Sequence, residues 1–432
     1  MINNIFRIIF VTVLTFAISI PTAQAVSSST EKDSTVVAAH NSSVVETTFS
    51  LSKDILTNYY KNTDLEKERL TGKTILNTNL LDPKLSNYVE QKIKTKQYVT
   101  VAADADKENY SLNFTLLSSE VTKEGVYLSI STEATFNYVG LDEESGFGEI
   151  SNMFFKNTSS GFMLTDWNMP YDYYDEFVLD QVDNSSQLRT NLTAKDSNIH
   201  QRQLELHDKI VDSFSVDQEI GEYHEKDVEV STANTSALSA TLRSLNKKNI
   251  VSYARNNIKA SPASGNGVVP YYDFSKISGN WDCTNFVSHA ILAGGAVVYD
   301  TGGSGISGSG WYYRSLSNRS SSWSGVPNLH TFLVNNKTKG PTGTSITYRT
   351  FNWNVTHPYV AGDILQFYLG GSYNNWRHST IITEFYETAQ ANVVGALVTG
   401  RSASGSYNNN QKAETIYPGD AKRVIKLSGY YN

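Results

Sequence analysis

The sequence contains little cysteine, proline or methionine, with one, nine and four residues respectively among 432. A single cysteine excludes an internal disulfide, so packing has to stabilise the folded chain. Long apolar runs are equally scarce, since the run at residues 8–20 is shorter than the ~20 residues of a membrane span. We therefore expect a globular protein of two or three domains, with no membrane span in the mature chain and no metal site.

The first 25 residues have the pattern of a secretory signal peptide. Arg7 precedes an apolar run from Ile8 to Ile20, and Ala23-Gln24-Ala25 forms a cleavage site of the A-x-A type. The alternative is a membrane anchor, for which the run is short. We expect a signal peptide at residues 1–25 and a flexible linker at 26–45. The mature protein would then be secreted, and either extracellular or associated with the cell wall.

The charges are distributed unevenly along the chain. Residues 248–432 carry 15 Lys and Arg against 8 Asp and Glu, a balance of +7, although the whole chain has −7. The remainder must carry −14, which favours separate domains with different partners. A basic domain outside the cell is suited to an anionic cell-wall polymer, and the alternative is two ordinary solvated surfaces. The Gly/Ser-rich stretch at 302–310 lacks the spacing of a nucleotide-binding loop, so we expect no cofactor and no nucleic-acid partner.

Residues 46–182 have the pattern of an N-terminal α+β domain. Two segments with helical spacing come first, and alternating segments separated by turns follow, which predicts two helices and then two β-hairpins. The helices are expected near 49–60 and 80–93, and the hairpins at 110–117 with 126–138 and at 148–156 with 161–167. Helices followed by a meander resemble a cystatin-like or NTF2-like fold in shape, without a motif that identifies either.

Polar segments follow this domain. The acidic cluster from Asp172 to Glu176 could supply an acid and a base or bind Ca²⁺, but it lacks the spacing of a calcium loop, so we expect an exposed acidic turn. Residues 183–247 are predicted to be a polar linker with helices near 201–214 and 239–245. The C-terminal domain, residues 248–432, is predicted to begin with a helix near 250–256.

The only cysteine, Cys283, opens a helical pattern. Asp282 occupies the N-cap position before it, and Gly294-Gly295 ends the helix. Free N–H groups and the helix dipole lower the pKa of a thiol in the first turn, so Cys283 is a candidate nucleophile. The alternative is a small buried apolar residue, as free cysteines usually are. An unused thiol is a liability in an oxidising compartment, which favours the catalytic interpretation.

His378 is the candidate general base. Residues 361–368 and 376–383 are predicted to form a hairpin, with His378 at the start of the return strand beside a Gly/Asn-rich loop. A catalytic base needs this placement, with rigid backbone beneath it and substrate beside it. The other histidines of the domain that could serve are His289, His330 and His357, and we prefer His378.

A Cys–His pair usually needs a third group that orients the imidazole. Glu384 is too far along the same strand, about 20 Å from His378. If the next strand pairs antiparallel through a tight connection, residue 378 lies opposite about 399, so Thr399 and Ser402 are the candidate partners. Neither is a carboxylate, and Arg401 between them cannot accept a hydrogen bond.

Aromatic residues are frequent in the part of the sequence that contains these candidates. Five of the six tryptophans lie between positions 281 and 376, a density that suits a groove for a sugar or a peptide, with core packing as the alternative. We assign candidate substrate contacts to Tyr272, Trp281, Asp282 and Trp376.

Short motifs in a fixed order carry a resemblance to a known family. They are Asp282-Cys283-Thr284-Asn285-Phe286-Val287-Ser288, Ser322-Trp323, Gly362-Asp363-Ile364-Leu365-Gln366-Phe367 and Trp376-Arg377-His378-Ser379. Over about residues 249–432 the chain resembles the putative amidase domain family of exported Gram-positive proteins, which is related to the NlpC/P60 and CHAP cysteine peptidases. The family tends to place a histidine and a threonine on the next strand near an aspartate, where this chain has Val398-Thr399-Gly400-Arg401-Ser402.

The resemblance implies an α+β domain of the papain-like NlpC/P60 type, with the cysteine at a helix N-terminus and the histidine on an antiparallel sheet. It also implies that Cys283 is the nucleophile, that His378 is the base, and that the N–H of Cys283 contributes to an oxyanion hole.

These expectations describe a secreted, cysteine-dependent amidase or peptidase. Export and the resemblance together suggest peptidoglycan peptides as its substrate. The alternative is a non-catalytic wall- or glycan-binding protein on a degenerate peptidase scaffold. Acyl transfer in place of hydrolysis would use the same residues.

Overall fold

The structure is a computed structural model that describes most of the chain after residue 29. The described residues are 30–64, 78–179, 196–215, 222–223, 241–259, 269–277, 280–348, 353–354, 357–370, 375–388 and 392–432. The predicted signal peptide at 1–25 lies outside them. The residues from Val45 onward form one compact unit, and the described residues before it, 30–44, belong to another. No helix of these ranges combines the length and the apolar character that a membrane span requires.

Helices and antiparallel strands both occur throughout, so the predicted α+β class is confirmed. The helices are α1 (Thr30–Asp64), α2 (Pro83–Ala102), α3 (Tyr173–Leu179), α4 (Asp196–Ser215), α5 (Lys247–Asn256), α6 (Cys283–Ala293), α7 (Ser321–Ser324) and α8 (Val326–Asn335). The N-terminal strands are β1 (Lys107–Val121), β2 (Gly125–Tyr138), β3 (Glu144–Thr158), β4 (Gly161–Asn168), β5 (Glu222–Tyr223) and β6 (Leu242–Arg243). The later strands are β7 (Ile306–Ser307), β8 (Tyr313–Ser315), β9 (Asn318–Ser320), β10 (Gly340–Tyr348), β11 (Trp353–Asn354), β12 (Ile364–Leu369), β13 (Asn375–Glu387), β14 (Val393–Ala403), β15 (Ser406–Lys412) and β16 (Lys422–Tyr431).

The first helix begins earlier than expected. The predicted linker at 26–45 is wrong from Thr30 onward, where α1 starts. Its Ser, Thr and Val residues have weak helix propensity, which suggested a linker, but neither glycine nor proline interrupts the segment before Asp64. The second helix, α2, begins with a side-chain cap. The Asp82 carboxylate accepts a hydrogen bond from the Lys84 N–H at 2.9 Å, and Pro83 occupies the first turn.

Both predicted hairpins of the N-terminal domain are confirmed. β1 pairs with β2 and β3 pairs with β4, each antiparallel. The predicted helix at 201–214 corresponds to α4, and the one at 250–256 to α5. The helix predicted near 239–245 is wrong, because Leu242–Arg243 forms the edge strand β6 against β16. Pairing with an available sheet edge overrides the local helical preference there.

One sheet runs through both predicted domains. Its strand order is β1-β2-β3-β15-β14-β13-β12-β16-β10-β5, and β4, β11 and β6 pair with β3, β14 and β16. The junction is the antiparallel pairing of β3 with β15, which sets Tyr407 opposite Gly148 and Asn409 opposite Gly146. The N-terminal domain is therefore joined to the C-terminal domain by backbone hydrogen bonds as well as by side chains. β7, β9 and β8 form a small second sheet.

The acidic cluster is buried, which corrects the expectation of an exposed turn. Asp175 and Glu176 lie in α3 and are almost fully buried, as is Asp172 just before the helix. Lys92 lies 2.8 Å from Asp172 and 2.7 Å from Asp175, and Lys96 lies 2.5 Å from Asp172. Buried carboxylates need such partners, and these lysines come from α2, about 80 residues earlier in the sequence.

Two apolar cores cover the faces of the C-terminal sheet. On one face α6 packs through Phe286 and Ile291 against Ile381, together with Trp311 and Trp323. On the other face lie the alternate residues of the same strands: Leu365, Phe367, Ile382, Val398 and Val424. This division follows from the two-residue period of a strand, and it fixes α6 beside β13.

The Gly-Asp motif has a structural role before β12. Gly362 has a φ of 94°, a conformation that favours glycine. The buried Asp363 carboxylate accepts hydrogen bonds from the N–H groups of Val360 and Leu427, each at 2.9 Å, and pairs with the Lys247 ammonium. Asp363 therefore ties the start of β12 to β16 and α5.

Candidate active site

Cys283 is the first residue of α6, as predicted, and its thiol lies against the strand that carries His378. The sulfur lies 3.9 Å from the carbonyl oxygen of Arg377, the residue before His378, and 3.8 Å from the Thr284 hydroxyl. A contact between the Thr284 and Ser379 hydroxyls at 3.3 Å holds the helix to the strand on the other side of His378. The fold therefore places the thiol at the backbone of residues 377–379.

Asp282 occupies the N-cap position but does not cap the helix with its side chain. One carboxylate oxygen accepts hydrogen bonds from the Phe274 N–H at 3.0 Å and the Asn285 amide at 2.9 Å. The other accepts from the Tyr271 hydroxyl and from Arg401 Nε at 2.8 Å. Asp282 is fully buried with both oxygens occupied, which corrects its assignment as a substrate contact.

Arg401 is the cation that this carboxylate requires. Its guanidinium also lies 2.9 Å from Asp273 and donates to the Ile258 carbonyl at 3.2 Å. Burial raises the pKa of Asp282 to about 6, although Arg401 acts in the opposite direction. The arginine on β14 is thus a structural partner of the residue before Cys283, and it takes no part in orienting His378.

Burial dominates the ionisation of the thiol. Cys283 is 2% exposed, and loss of hydration raises the pKa of its thiol, whereas the Ser379 N–H and Thr284 lower that pKa by less. The expectation of a lowered pKa at the helix N-terminus is therefore wrong for this closed conformation. Desolvation of the thiolate outweighs the favourable dipole because Cys283 is almost fully buried.

His378 lies in a largely aromatic environment on β13. Its ring is stacked on Tyr417 with centroids 6.0 Å apart and 12° between planes. Phe367 lies 6.0 Å away on the paired strand, and Trp281 lies 6.4 Å away with its ring edge-on. The predicted hairpin of β12 and β13 is confirmed, with Phe367 opposite His378.

Neither ring nitrogen of His378 has a hydrogen-bond partner among the described residues. The imidazole is 1% exposed, and burial lowers its pKa to about 3, helped by the neighbouring charge of Arg377. The thiol and the imidazole are therefore both neutral near pH 7 and are not hydrogen-bonded to each other. A neutral imidazole with a free nitrogen is the protonation state that a general base requires.

The N-terminal domain holds the residues on either side of this imidazole. The buried Glu176 carboxylate accepts a hydrogen bond from Arg377 Nε at 2.7 Å and another from the Tyr417 hydroxyl at 3.0 Å. Tyr417 has a φ of 50°, a conformation that is strained for a bulky residue. Packing and hydrogen bonding thus fix His378 through its neighbours, without an acceptor bonded to the ring.

The strand register differs from the predicted one by three residues. Ile381 is the first residue of β13 that pairs with β14, and its partner is Thr399. The Ser402 carbonyl accepts a hydrogen bond from the Asp282 N–H at 2.9 Å. Thr399 belongs to another network, in which its hydroxyl accepts from the Asn410 N–H at 3.0 Å. The prediction that Thr399 lies opposite His378 is wrong, because Thr399 pairs with Ile381, three residues further along β13. Ser402 lines the same cavity as His378, without a hydrogen bond to the ring.

Of the predicted substrate contacts, only Trp281 packs against His378. The Arg377 guanidinium lies over the Trp281 ring at 4.7 Å, and Tyr171 of the N-terminal domain packs against its edge at 5.4 Å. Trp376 packs on Tyr368 and Arg423 instead.

Tyr272 is half-buried, and its carbonyl accepts from the Asn285 amide at 2.8 Å. Trp311 and Trp323 are core residues, so part of the tryptophan density reflects packing.

The other three histidines belong to separate environments. His289 is buried in α6 between Tyr253, Tyr271 and Trp323. His330 Nε2 lies 2.7 Å from the Ser345 hydroxyl, and His357 Nδ1 accepts from the Tyr359 N–H at 3.1 Å. His378 is the histidine whose strand the Cys283 thiol contacts.

A cavity of about 150 Å³ lies between the two domains and reaches His378 and Ser402. Tyr171 and Tyr417 also line it, together with charged side chains of α1, α2 and β3. No group of three or more His, Cys, Asp or Glu side chains in the described ranges is arranged to hold a metal ion.

Glu176, Arg377 and Tyr417 were not singled out as site residues from the sequence. Glu176 lies in the acidic cluster, whose pattern was visible but whose burial was not. Arg377 lies inside the histidine motif, and Tyr417 carries no local signal of its position.

The model of the putative amidase domain family matches residues 244–427. The match confirms the resemblance that the motifs around Cys283, Asp363 and His378 suggested, and it indicates a hydrolase that acts on amides. No curated protein and no solved structure matches this chain.

Proposed function

We propose that the protein is a cysteine-dependent amidohydrolase in which Cys283 is the nucleophile and His378 the general base. The observation that carries the proposal is the position of the only thiol, at the N-terminus of α6 and 3.9 Å from the backbone carbonyl that precedes His378. The match of an amidase domain to residues 244–427 supports amide hydrolysis. We also infer that this domain has the papain-like NlpC/P60 arrangement and that the N-terminal domain is cystatin-like or NTF2-like.

In this mechanism the neutral imidazole takes the thiol proton as the sulfur attacks the amide carbonyl carbon. A C–S bond forms, and the negative charge passes to the carbonyl oxygen. The first N–H groups of α6 lack partners within the helix, so the N–H of Cys283 is placed to stabilise this oxyanion. The imidazolium then protonates the leaving amine as the C–N bond breaks.

Water completes the reaction by attacking the thioester. His378 accepts a proton from the water, the C–S bond breaks, and the thiol is regenerated as the carboxylic acid leaves. The closed environment has to admit substrate first, since Cys283 and His378 are both almost fully buried. A polar substrate also brings hydrogen-bonding groups beside the pair, which offset part of the desolvation that holds the pKa of His378 low.

The sequence before residue 26 supports secretion, and with the family match it suggests peptides of the cell wall as substrates. A zymogram with purified peptidoglycan tests both reaction and substrate. Wild type should clear the gel, Cys283→Ala and His378→Ala should not, and the exposed-site control Ser160→Ala should behave as wild type. Clearing by Cys283→Ala would overturn the proposal, and release of a new amine by mass spectrometry would identify the bond.

A second candidate is a wall- or glycan-binding protein on an inactive peptidase scaffold. Burial of Cys283, which raises the pKa of its thiol, favours it, as does the lack of a hydrogen-bond acceptor for the His378 ring among the described residues. It predicts that wild type and Cys283→Ala bind peptidoglycan equally in a sedimentation assay and that neither releases amine.

A further inference from the structure

The cavity beside His378 has walls from both domains. On the N-terminal side it is lined by Tyr60 and Asp64 of α1, Lys96 of α2 and Glu149 of β3. On the C-terminal side it is lined by His378 and Ser402. His378 is almost fully buried, and its ring nitrogens have no partner among the described residues. A polar ligand in this cavity would therefore meet the proposed base as well as charged side chains of the N-terminal domain.

The charged wall has one more carboxylate than ammonium groups. Its carboxylates are Asp64, Glu149 and Asp172, and its lysines are Lys96 and Lys107. Both lysines already have close partners, since Lys96 lies 2.5 Å from Asp172 and Lys107 lies 3.0 Å from Asp64. Lys92, which does not line the cavity, leaves the excess of one carboxylate unchanged, because it is shared between Asp172 and the equally buried Asp175.

Glu149 is the carboxylate without a close cation. The Tyr60 hydroxyl donates to its Oε2 at 2.6 Å, which fixes the side chain. The cation found near its Oε1 in the described structure is Lys96, at 3.9 Å. Burial raises the pKa of Glu149, and Lys96 lowers it by less. A partly buried carboxylate with one loosely paired oxygen favours a cationic ligand.

We propose that this cavity binds the primary ammonium group of the substrate, with Glu149 Oε1 as its principal acceptor. Thr63, Thr95 and Thr100 line the same cavity, and a hydroxyl oxygen can accept from the other N–H groups. The substrate class is therefore a peptide amide that carries a free amino group, either at its N-terminus or on a lysine-type side chain. The assignment rests on the proposed function, because it places the scissile amide at the His378 end.

Binding can be measured without chemistry in the full-length Cys283→Ser variant by isothermal titration calorimetry. The probes for a terminal amine are glycyl-glycine amide and N-acetyl-glycyl-glycine amide. The probes for a side-chain amine are Nα-acetyl-lysine amide and Nα,Nε-diacetyl-lysine amide. At pH 7 one amine probe should bind about tenfold more tightly than its acetylated partner, as for a partly desolvated ion pair. The pair that shows the preference identifies the source of the amine.

Glu149→Gln in the same background should abolish this preference, and Glu120→Gln, an exposed change on strand β1 of the N-terminal domain, should retain it. Lys96→Met should have the opposite effect on affinity, because removal of the competing ammonium should strengthen binding of the amine probe severalfold. The Lys96→Met variant therefore still tests the proposal if Glu149→Gln fails to fold. Equal binding of all probes, a preference that survives Glu149→Gln, or no gain in Lys96→Met would overturn the proposal.

The binding result is separable from the fate of the proposed reaction. If the amine probes are preferred but wild type hydrolyses no amide, the Glu149 site is supported and the proposed enzymatic function is overturned. If wild type hydrolyses amides but shows no preference for the amine probes, the enzymatic function is supported and the Glu149 site is overturned.

Discussion

Glu176 Oε1 lies 2.7 Å from Arg377 Nε, and this contact joins the N-terminal domain to the residue before the proposed catalytic base. The same carboxylate accepts the Tyr417 hydroxyl, and Tyr417 is stacked on His378. The N-terminal domain therefore contributes to the site, although all the motifs lie in the C-terminal domain.

Glu176→Gln should lower both stability and activity. The change removes the carboxylate that pairs with the partly exposed Arg377 guanidinium and accepts the Tyr417 hydroxyl, so we expect a loss of about 1–3 kcal/mol. The imidazole should also lose its fixed position, with kcat falling about tenfold or more and KM changing little. Urea unfolding and steady-state kinetics measure the two effects. Glu387→Gln at the exposed end of β13 is the matched control, and an unaltered kcat in Glu176→Gln would contradict a positioning role.

The thiol should react slowly while the protein is folded. Cys283 is nearly inaccessible and burial raises the pKa of its thiol, so modification by a maleimide at pH 7 should be at least about a hundredfold slower than in urea. Tyr171→Ala removes the ring that packs on Trp281 and should increase the native rate. Tyr127→Ala, on the N-terminal sheet against Phe154, is the control. Equal rates for wild type in buffer and in urea would show that the closed arrangement is incorrect.

Arg401→Met should be strongly destabilising. It leaves Asp273 and Asp282 buried without their shared cation, which costs about 3–5 kcal/mol in comparable sites. The destabilisation should shrink as the pH is lowered toward 5, because protonation of Asp282 removes the unpaired charge. Urea midpoints at pH 7 and pH 5 measure this, with exposed Arg243→Met as the control. A loss below 1 kcal/mol at pH 7 would argue against the structural role of Arg401.

His378 should make the protein less stable in acid. Its pKa in the folded state is lowered to about 3 from an ordinary value of 6.5, so the unfolded chain binds the proton first as the pH falls. This contribution to stability is present above pH 6.5 and is lost progressively toward pH 3. His378→Gln should therefore show a shallower fall in urea midpoint between pH 7 and pH 5 than wild type. His200→Gln, at an exposed position, should retain the wild-type slope, and identical slopes in all three proteins would refute the expectation.

Gly400→Ala should disturb the imidazole directly. A Cβ there would lie 2.5 Å from Thr380 Cγ2 and 3.2 Å from His378 Nε2. We expect a loss of about 1–3 kcal/mol from overpacking, together with reduced hydrolysis. Gly303→Ala is the matched control, since its Cβ would meet no atom within 4 Å. Wild-type stability and activity in Gly400→Ala would contradict the close packing around the ring.

The sequence alone determined the local features of the site. The hydrophobic period predicted the hairpin of β12 and β13, and turn residues placed His378 at the start of its return strand. The apolar spacing after Asp282 placed Cys283 at the first residue of a helix. Such features depend on neighbours within a few residues, so local periodicity is sufficient to predict them.

Only the tertiary structure decided which groups surround the imidazole and whether they are charged. The register of β13 against β14 is a tertiary property, and it places Thr399 opposite Ile381 and not opposite His378. Burial of Glu176 depends on contacts with residues about 200 and 240 positions later, which no local pattern encodes. The raised pKa of the Cys283 thiol arises from desolvation by burial, whereas the sequence shows only the helix N-terminus, which acts in the opposite direction.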